Sequence, residues 1–264
     1  MLKKVFLGGV VVAASVFSVG ASAIVIDDFT LGAKHEVKKH EQSYSVFADV
    51  DTSKTHILGG TRQGLVYSNN TTGNPPTGLI KFQPSTAAGK SVYSIDTGAG
   101  ITSNMGFIWG GGTGPTSAEV GGLFDSGNRL NAFAAFDMYS GLTRSDGSSG
   151  FDINGVKNDL DSLVLDVFDA DHDYNVTFYL EDASGAQGSK TVRVKKAGGK
   201  AIAGLGEFGV NLDRIKYISM VIDGASDGAL DTRFSLLATS VPEPATLALF
   251  GLGLAGIARL RAKR

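Results

Sequence analysis

SLVLDVF at residues 162–168, YNVTFYL at 174–180 and TVRVK at 191–195 form the stretch that decides the fold. Leu163, Leu165 and Val167 fall on one face of the first piece, and Val176, Phe178 and Leu180 on one face of the second. In the third, Val192 and Val194 oppose Arg193 and Lys195. A period of two places successive side chains on opposite faces, the mark of a half-buried strand. The first two pieces read as a strand pair joined by a turn at 169–173, and Ala183-Ser184-Gly185 supplies the next turn.

Outward from this centre the same pattern recurs. Strands are predicted at 24–30, 43–50, 55–58 and 64–68 (the last two broken by Gly59-Gly60), 79–82, 91–96 and 105–109. Others follow at 131–139 (NAFAAFDMY, an apolar core strand), 215–222 and 230–237. About a dozen short strands between Gly, Asn, Asp and Pro turns predict an all-β antiparallel sandwich or jelly roll. No fixed repeat or dividing linker interrupts residues 24–240, which read as one domain.

The ends are different. Residues 1–23 open with Lys3 and Lys4, continue through an apolar run at 5–19, and close on Ala21-Ser22-Ala23. This is the three-part layout of a secretory signal, with Ala21 and Ala23 as the small residues signal peptidase accepts. An uncleaved anchor is the alternative, and the Ala-x-Ala site favours cleavage. At the other end, residues 245–258 (ATLALFGLGLAGIA) carry no charge and run into Arg259, Arg261, Lys263 and Arg264. Fourteen helical residues reach about 21 Å, short of a hydrocarbon core of roughly 30 Å. Leu260 and snorkelling arginines extend the span. Apolar residues all round the helix leave no polar face for packing on a soluble body, and the cationic cluster belongs on the cytoplasmic side. A single membrane helix with the body outside is the expectation. Just upstream, Val241-Pro242-Glu243-Pro244 must be extended, because neither proline suits a helix interior or a central strand.

Val-Pro-Glu-Pro, a Leu/Ala/Gly-rich apolar helix and an Arg-rich end, in that order over residues 241–264, resemble the PEP-CTERM sorting domain. The resemblance implies recognition of Pro242, Glu243 and Pro244 by exosortase, a membrane-embedded processing enzyme, with Arg259, Arg261 and Arg264 as the cytoplasmic stop. It also implies a Gram-negative, exopolysaccharide-producing host and a destination at the surface or in the extracellular matrix. It covers a tenth of the chain and assigns no role to the body.

Composition narrows that role. The chain has 24 basic and 26 acidic residues; six of the bases and one acid, Glu243, lie in the end segments. The body at 24–240 keeps 18 and 25, net −7, which offers no electrostatic footprint for nucleic acid. Absence of cysteine excludes thiol catalysis, disulfides and cysteine–zinc sites.

Few motifs survive scrutiny. His35 and His40 flank Glu36, but their five-residue separation breaks the zinc-protease spacing. GxGxxG matches at 204–209 and 251–256 lack the βαβ surroundings of a dinucleotide site. Asp169, Asp171 and Asp173 begin like a calcium loop, yet Tyr174 and Leu180 occupy the positions that need Gly and Glu. A solvated acidic turn is the ordinary reading, with a structural calcium, helped by Asp166 or Asp182, as the alternative. No GxSxG elbow is present. Trp109, Phe107, Phe133, Phe136 and Tyr139 could stack on sugar rings, but alternation with small residues favours the core. Residues 212–237 faintly resemble the closing strands of galactose-binding-like jelly rolls. The body therefore reads as a non-enzymatic adhesion or exopolysaccharide-associated module without cofactor. A carbohydrate-active enzyme on the same sandwich, or a passive structural protein, are the alternatives.

Overall fold

In the computed structural model, residues 23–37, 43–70, 80–98, 101–111, 114–126, 129–143, 147–153, 161–224 and 230–240 are described. They contain thirteen strands. β1 (Val25–Asp27), β2 (His35–Val37), β3 (Ser43–Val50), β4 (Thr61–Asn70), β5 (Ile80–Ala87), β6 (Lys90–Thr97) and β7 (Ile101–Trp109) precede two short helices, α1 (Ser117–Val120) and α2 (Ala132–Phe136). β8 (Ser162–Ala170), β9 (Tyr174–Asp182), β10 (Gln187–Val194), β11 (Gly199–Gly204), β12 (Ile215–Asp223) and β13 (Thr232–Ser240) follow.

One sheet runs β11-β8-β13-β6-β5-β2, with β1 also on β13; the other runs β10-β9-β12-β7-β4-β3. Every pairing is antiparallel. The apolar faces of the two sheets meet in one core, built from residues such as Phe82, Tyr93, Leu165 and Phe234 on one side and Phe107, Trp109, Phe178 and Met220 on the other. The protein is an all-β sandwich, as the alternation predicts. Its compact unit spans Ser22–Val241, and its two ends are neighbours. The Ile24 N–H donates to Thr239 Oγ1 and the Thr239 N–H to the Ile24 carbonyl, each at 2.9 Å.

Three expectations are corrected. The pieces at 162–168 and 174–180 are strands, but not partners. β8 pairs with β11 and β13, whereas β9 pairs with β10 and β12. The turn after Ala170 therefore crosses between sheets, and the two apolar faces pack against each other across the core rather than side by side. Period-two alternation marks a face and is silent on the edge partner. Residues 131–139 hold no strand: Asn131 caps α2 by accepting from the Ala134 N–H (3.2 Å). Ala132, Ala135 and Phe136 are its buried side, and Tyr139 just past its end is buried too, a spacing of three, four and seven that belongs to a helix. Residues 55–58 are likewise irregular, meeting β1 through the isolated Asp27–Ile57 bridge before a 3-10 turn at Leu58–Gly60.

Candidate functional site

Two polar assemblies stand out, one sealed and one open. The sealed one surrounds Arg62, which is 0% exposed. Its guanidinium donates to both oxygens of Asp27 (3.0 and 2.9 Å), to Asp49 Oδ2 (2.8 Å) and to the Leu31 carbonyl (2.8 Å). It lies against the rings of Phe29 and Tyr93, 5.0 and 4.4 Å from their centroids. Asp27 also accepts from Trp109 Nε1 (2.8 Å), and Asp49 pairs with His35 Nε2 (2.9 Å). Burial pushes the Asp27 carboxyl up to about 6 against the pull of Arg62 and Trp109. At Asp49, burial is outweighed by His35 and Arg62, and the carboxyl sits below its usual range. Arg62, Asp27, Asp49 and Trp109 are buried, while His35 reaches the surface in part, and the network ties β1, β2, β3, β4 and β7 together.

The open assembly is a groove on the outer face of the six-stranded sheet. Strand register builds its floor: Arg193, Asn175, Asp223 and Asn104 form one row across β10, β9, β12 and β7. Thr191, Thr177 and Val221 form the next row, and Ser189 and Tyr179 begin the third. Cross-strand neighbours lie about 5 Å apart, so the rows present polar groups at regular intervals.

The groove ends where the segment between β7 and β8 begins. That segment lays Val120, Leu123, Phe124, Leu130 and Phe136 on Leu65, Tyr67, Ile108, Tyr217 and Val221, forming a second apolar cluster. Phe136 stacks on Tyr217 (4.9 Å, 13°), and Phe133 meets the edge of Tyr179 (5.0 Å, 87°). Gly106 makes close seating possible, since a Cβ there would come within 2.2 Å of Leu130 Cδ2. The cover stops at Tyr179 and leaves a cavity of about 340 Å³, with Arg129 and Leu130 on the covered side. That lies near the low end of the range for ligand pockets, about 300–1,000 Å³.

Asn104 is the most informative residue in this floor. It is 1% exposed, lines the groove, and its carbonyl oxygen has no hydrogen-bond partner. A buried polar atom left unpaired costs about 1–3 kcal/mol, which a ligand hydroxyl could relieve. Burial pushes the Tyr179 phenol up while the charge of Arg129 acts against it.

The residues singled out in the sequence fall elsewhere. Trp109, Phe107, Phe136 and Tyr139 are buried and Phe133 partly so, as core residues. Asp169 pairs with Arg233, and Asp173 with Arg193, Lys195 and the Lys196 N–H. Asp171 meets His172 and the Asp231 N–H. The three acidic side chains are thus drawn to different partners. Among the described residues no cluster of three or more His, Asp or Glu could hold a metal. His40 lies outside the described residues. The motif at 204–209 is a strand end, a 3-10 turn and Gly209 at φ 67°. Ala23 is exposed beside β1. Ala21, Pro242, Glu243, Pro244, Arg259, Arg261, Arg264 and the second GxGxxG all lie outside the described residues, as does the expected membrane helix. No helix among the described residues is long and apolar enough to cross a membrane. The groove residues Asn104, Arg129, Tyr179 and Asp223 were not singled out from the sequence as site candidates.

Comparison with known proteins bears first on the tail. Residues 240–264 match the model of the PEP-CTERM protein-sorting motif. The chain thus carries the address of an extracellular protein that exosortase, a membrane enzyme, sorts through a membrane-anchored stage towards the surface. No curated protein matches the chain. Among solved structures, the body resembles a family 30 carbohydrate-binding module of the cellulosomal cellulase Cel9D-Cel44B from Clostridium thermocellum. Identity is 10%, the alignment covers 84% of this chain and 99% of that one, and the TM-score is 0.36. A family 11 module of Lic26A-Cel5E from the same organism gives 8%, 82%, 94% and 0.31. An exo-β-agarase gives 10% identity and a TM-score of 0.34 over 84% of this chain, which spans only 25% of the agarase. Superpositions this loose carry neither ligand nor activity across.

Proposed function

We propose that this is an exported, exosortase-sorted protein of a Gram-negative cell surface or matrix, whose body binds exopolysaccharide without cleaving it. The observation that carries the binding role is the groove: a regular polar floor, one buried carboxamide oxygen without a partner, and an apolar wall ending at Tyr179. Sugars present hydroxyls that donate and accept together, and Asn, Thr and Ser side chains can answer both ways. Among the described residues one carboxylate, Asp223, lines the groove, whereas most glycoside hydrolysis uses a flanking pair. That supports binding over turnover.

Filling the groove tests the reading. Thr177 is half-buried on its floor, and Thr177→Trp suits a strand while occupying the cavity. The full chain in detergent should be retained on immobilised exopolysaccharide, and the variant, with an unchanged melting curve, should flow through. Equal retention of the two would remove the groove as the site, and release of shortened oligosaccharides would make the protein an enzyme.

A further inference from the structure

Arg129 is exposed on the groove wall, and among the described residues no carboxylate pairs with its side chain. Its base is nevertheless fixed. The Arg129 N–H donates to Asp125 Oδ1 and the Asp125 N–H to the Arg129 carbonyl, each at 2.9 Å, in a loop closed by the Phe124–Leu130 bridge. Two unmet demands therefore face one cavity: a guanidinium fork suited to a planar anion, and the carboxamide of Asn104 suited to a hydroxyl.

We infer that the groove selects a glycan bearing a uronic acid, with the sugar carboxylate on Arg129 and a ring hydroxyl on Asn104. This rests on the glycan-binding reading above and adds the charge of the ligand. The selection has to be local. A body of net charge −7 repels polyanions at long range, unlike a basic surface that would gather any of them. The anion must therefore be recognised by one placed fork, and a neutral sugar of the same shape would forgo that contact.

Calorimetry on the full chain in detergent separates the possibilities. The probes are tetramers of galacturonate, mannuronate and glucuronate, each as free acid and as methyl ester, with a neutral glucan as reference. At least one acid should bind about tenfold more tightly than its ester, the order expected of one charge-assisted contact at a partly exposed site. Arg129→Gln should abolish that ratio and Arg129→Lys restore part of it, since lysine keeps the charge without the fork. Asn104→Ala, checked for an intact melting curve, should weaken acid and ester alike. Acids that bind no better than their esters, or a ratio that survives Arg129→Gln, would overturn the uronate inference while leaving glycan binding in place. Failure of every glycan, neutral ones included, would overturn both.

Discussion

Arg62→Met tests whether the sealed network holds the sandwich together. Methionine keeps much of the stem but removes four hydrogen bonds, to Asp27, Asp49 and the Leu31 carbonyl, and the cation between Phe29 and Tyr93. Removing one partner of a buried ion pair costs about 3–5 kcal/mol, because the other charge stays buried. The lower end applies here. Asp27 keeps the Phe29 N–H and Trp109 Nε1, and Asp49 keeps the Ala33 N–H and His35. In a body of this size, about 3 kcal/mol lowers Tm by roughly 6–12 °C. The pH dependence supplies a second, sharper signature. The Asp27 carboxyl stands at about 6, above its unfolded value of 3.8, with the arginine in place, and must rise further without it. A carboxyl raised in the native state holds its proton longer there, so the native form binds more protons and loses relative stability as pH rises. In the wild type that loss falls between 3.8 and about 6. In Arg62→Met it extends through neutrality, and the gap in Tm between the two proteins should widen from about pH 5 to pH 8. Adding Asp27→Asn, which cannot titrate, should flatten that slope. Scanning calorimetry of the compact unit Ser22–Val241 reads all three. A loss below about 1 kcal/mol, the worth of a surface pair, or a gap that ignores pH, would refute the reasoning.

Two further predictions concern the turns and the tail. At Asp51, burial is outweighed by bonds from Ser53, His56 and Ile57, holding its carboxyl far below the usual range. At Asp182, burial is outweighed by Ser184, Asn211 and Ala186, with the same direction. Lowered carboxyls stabilise the native state at pH well above 3.8 and lose that contribution as pH falls below it. Tm should therefore drop steeply on acidification through that range, and less so in Asp182→Asn, whose starting stability is lower. In the producing cell, Pro242→Ala combined with Pro244→Ala should leave the protein in the inner membrane, read by fractionation and immunoblotting; normal surface delivery would count against exosortase handling.

Strand positions were legible because burial on one face writes itself into alternate residues. β3 carries the predicted bounds, and β8, β9 and β12 lie within two residues of theirs. What alternation cannot carry is the partner. β8 and β9 are joined by a turn as short as a hairpin's, yet they lie in opposite sheets. The helix at Ala132–Phe136 was readable from spacing, but the density of apolar residues in NAFAAFDMY masked it. The groove left a weaker trace. Asn104, Arg129, Asn175 and Asp223 come from four separated segments, and register alone assembles the row from β7, β9 and β12. The one local signal was outward polarity at Asn175, Thr177, Ser189 and Thr191, which looks the same on a strand facing only water.

The outer face of the six-stranded sheet explains why a groove exists at all. On β4, β7 and β12 the outward residues include Leu65, Tyr67, Ile108, Tyr217 and Val221, an apolar strip that demands a cover. On β9 and β10, beyond Tyr179, they include Asn175, Thr177, Ser189, Thr191 and Arg193, which need none. The segment between β7 and β8 satisfies the first demand and has nothing to gain by continuing past Tyr179, so it stops there. A step between an apolar wall and a polar floor is the consequence of where the sheet changes character. A pyranose matches that step, with apolar C–H faces for the wall and hydroxyls for the floor. On the binding reading proposed above, the border residues Tyr179, Leu130 and Val221 would set how deep a ring sits, and Arg129 and Asn104 which ring is kept.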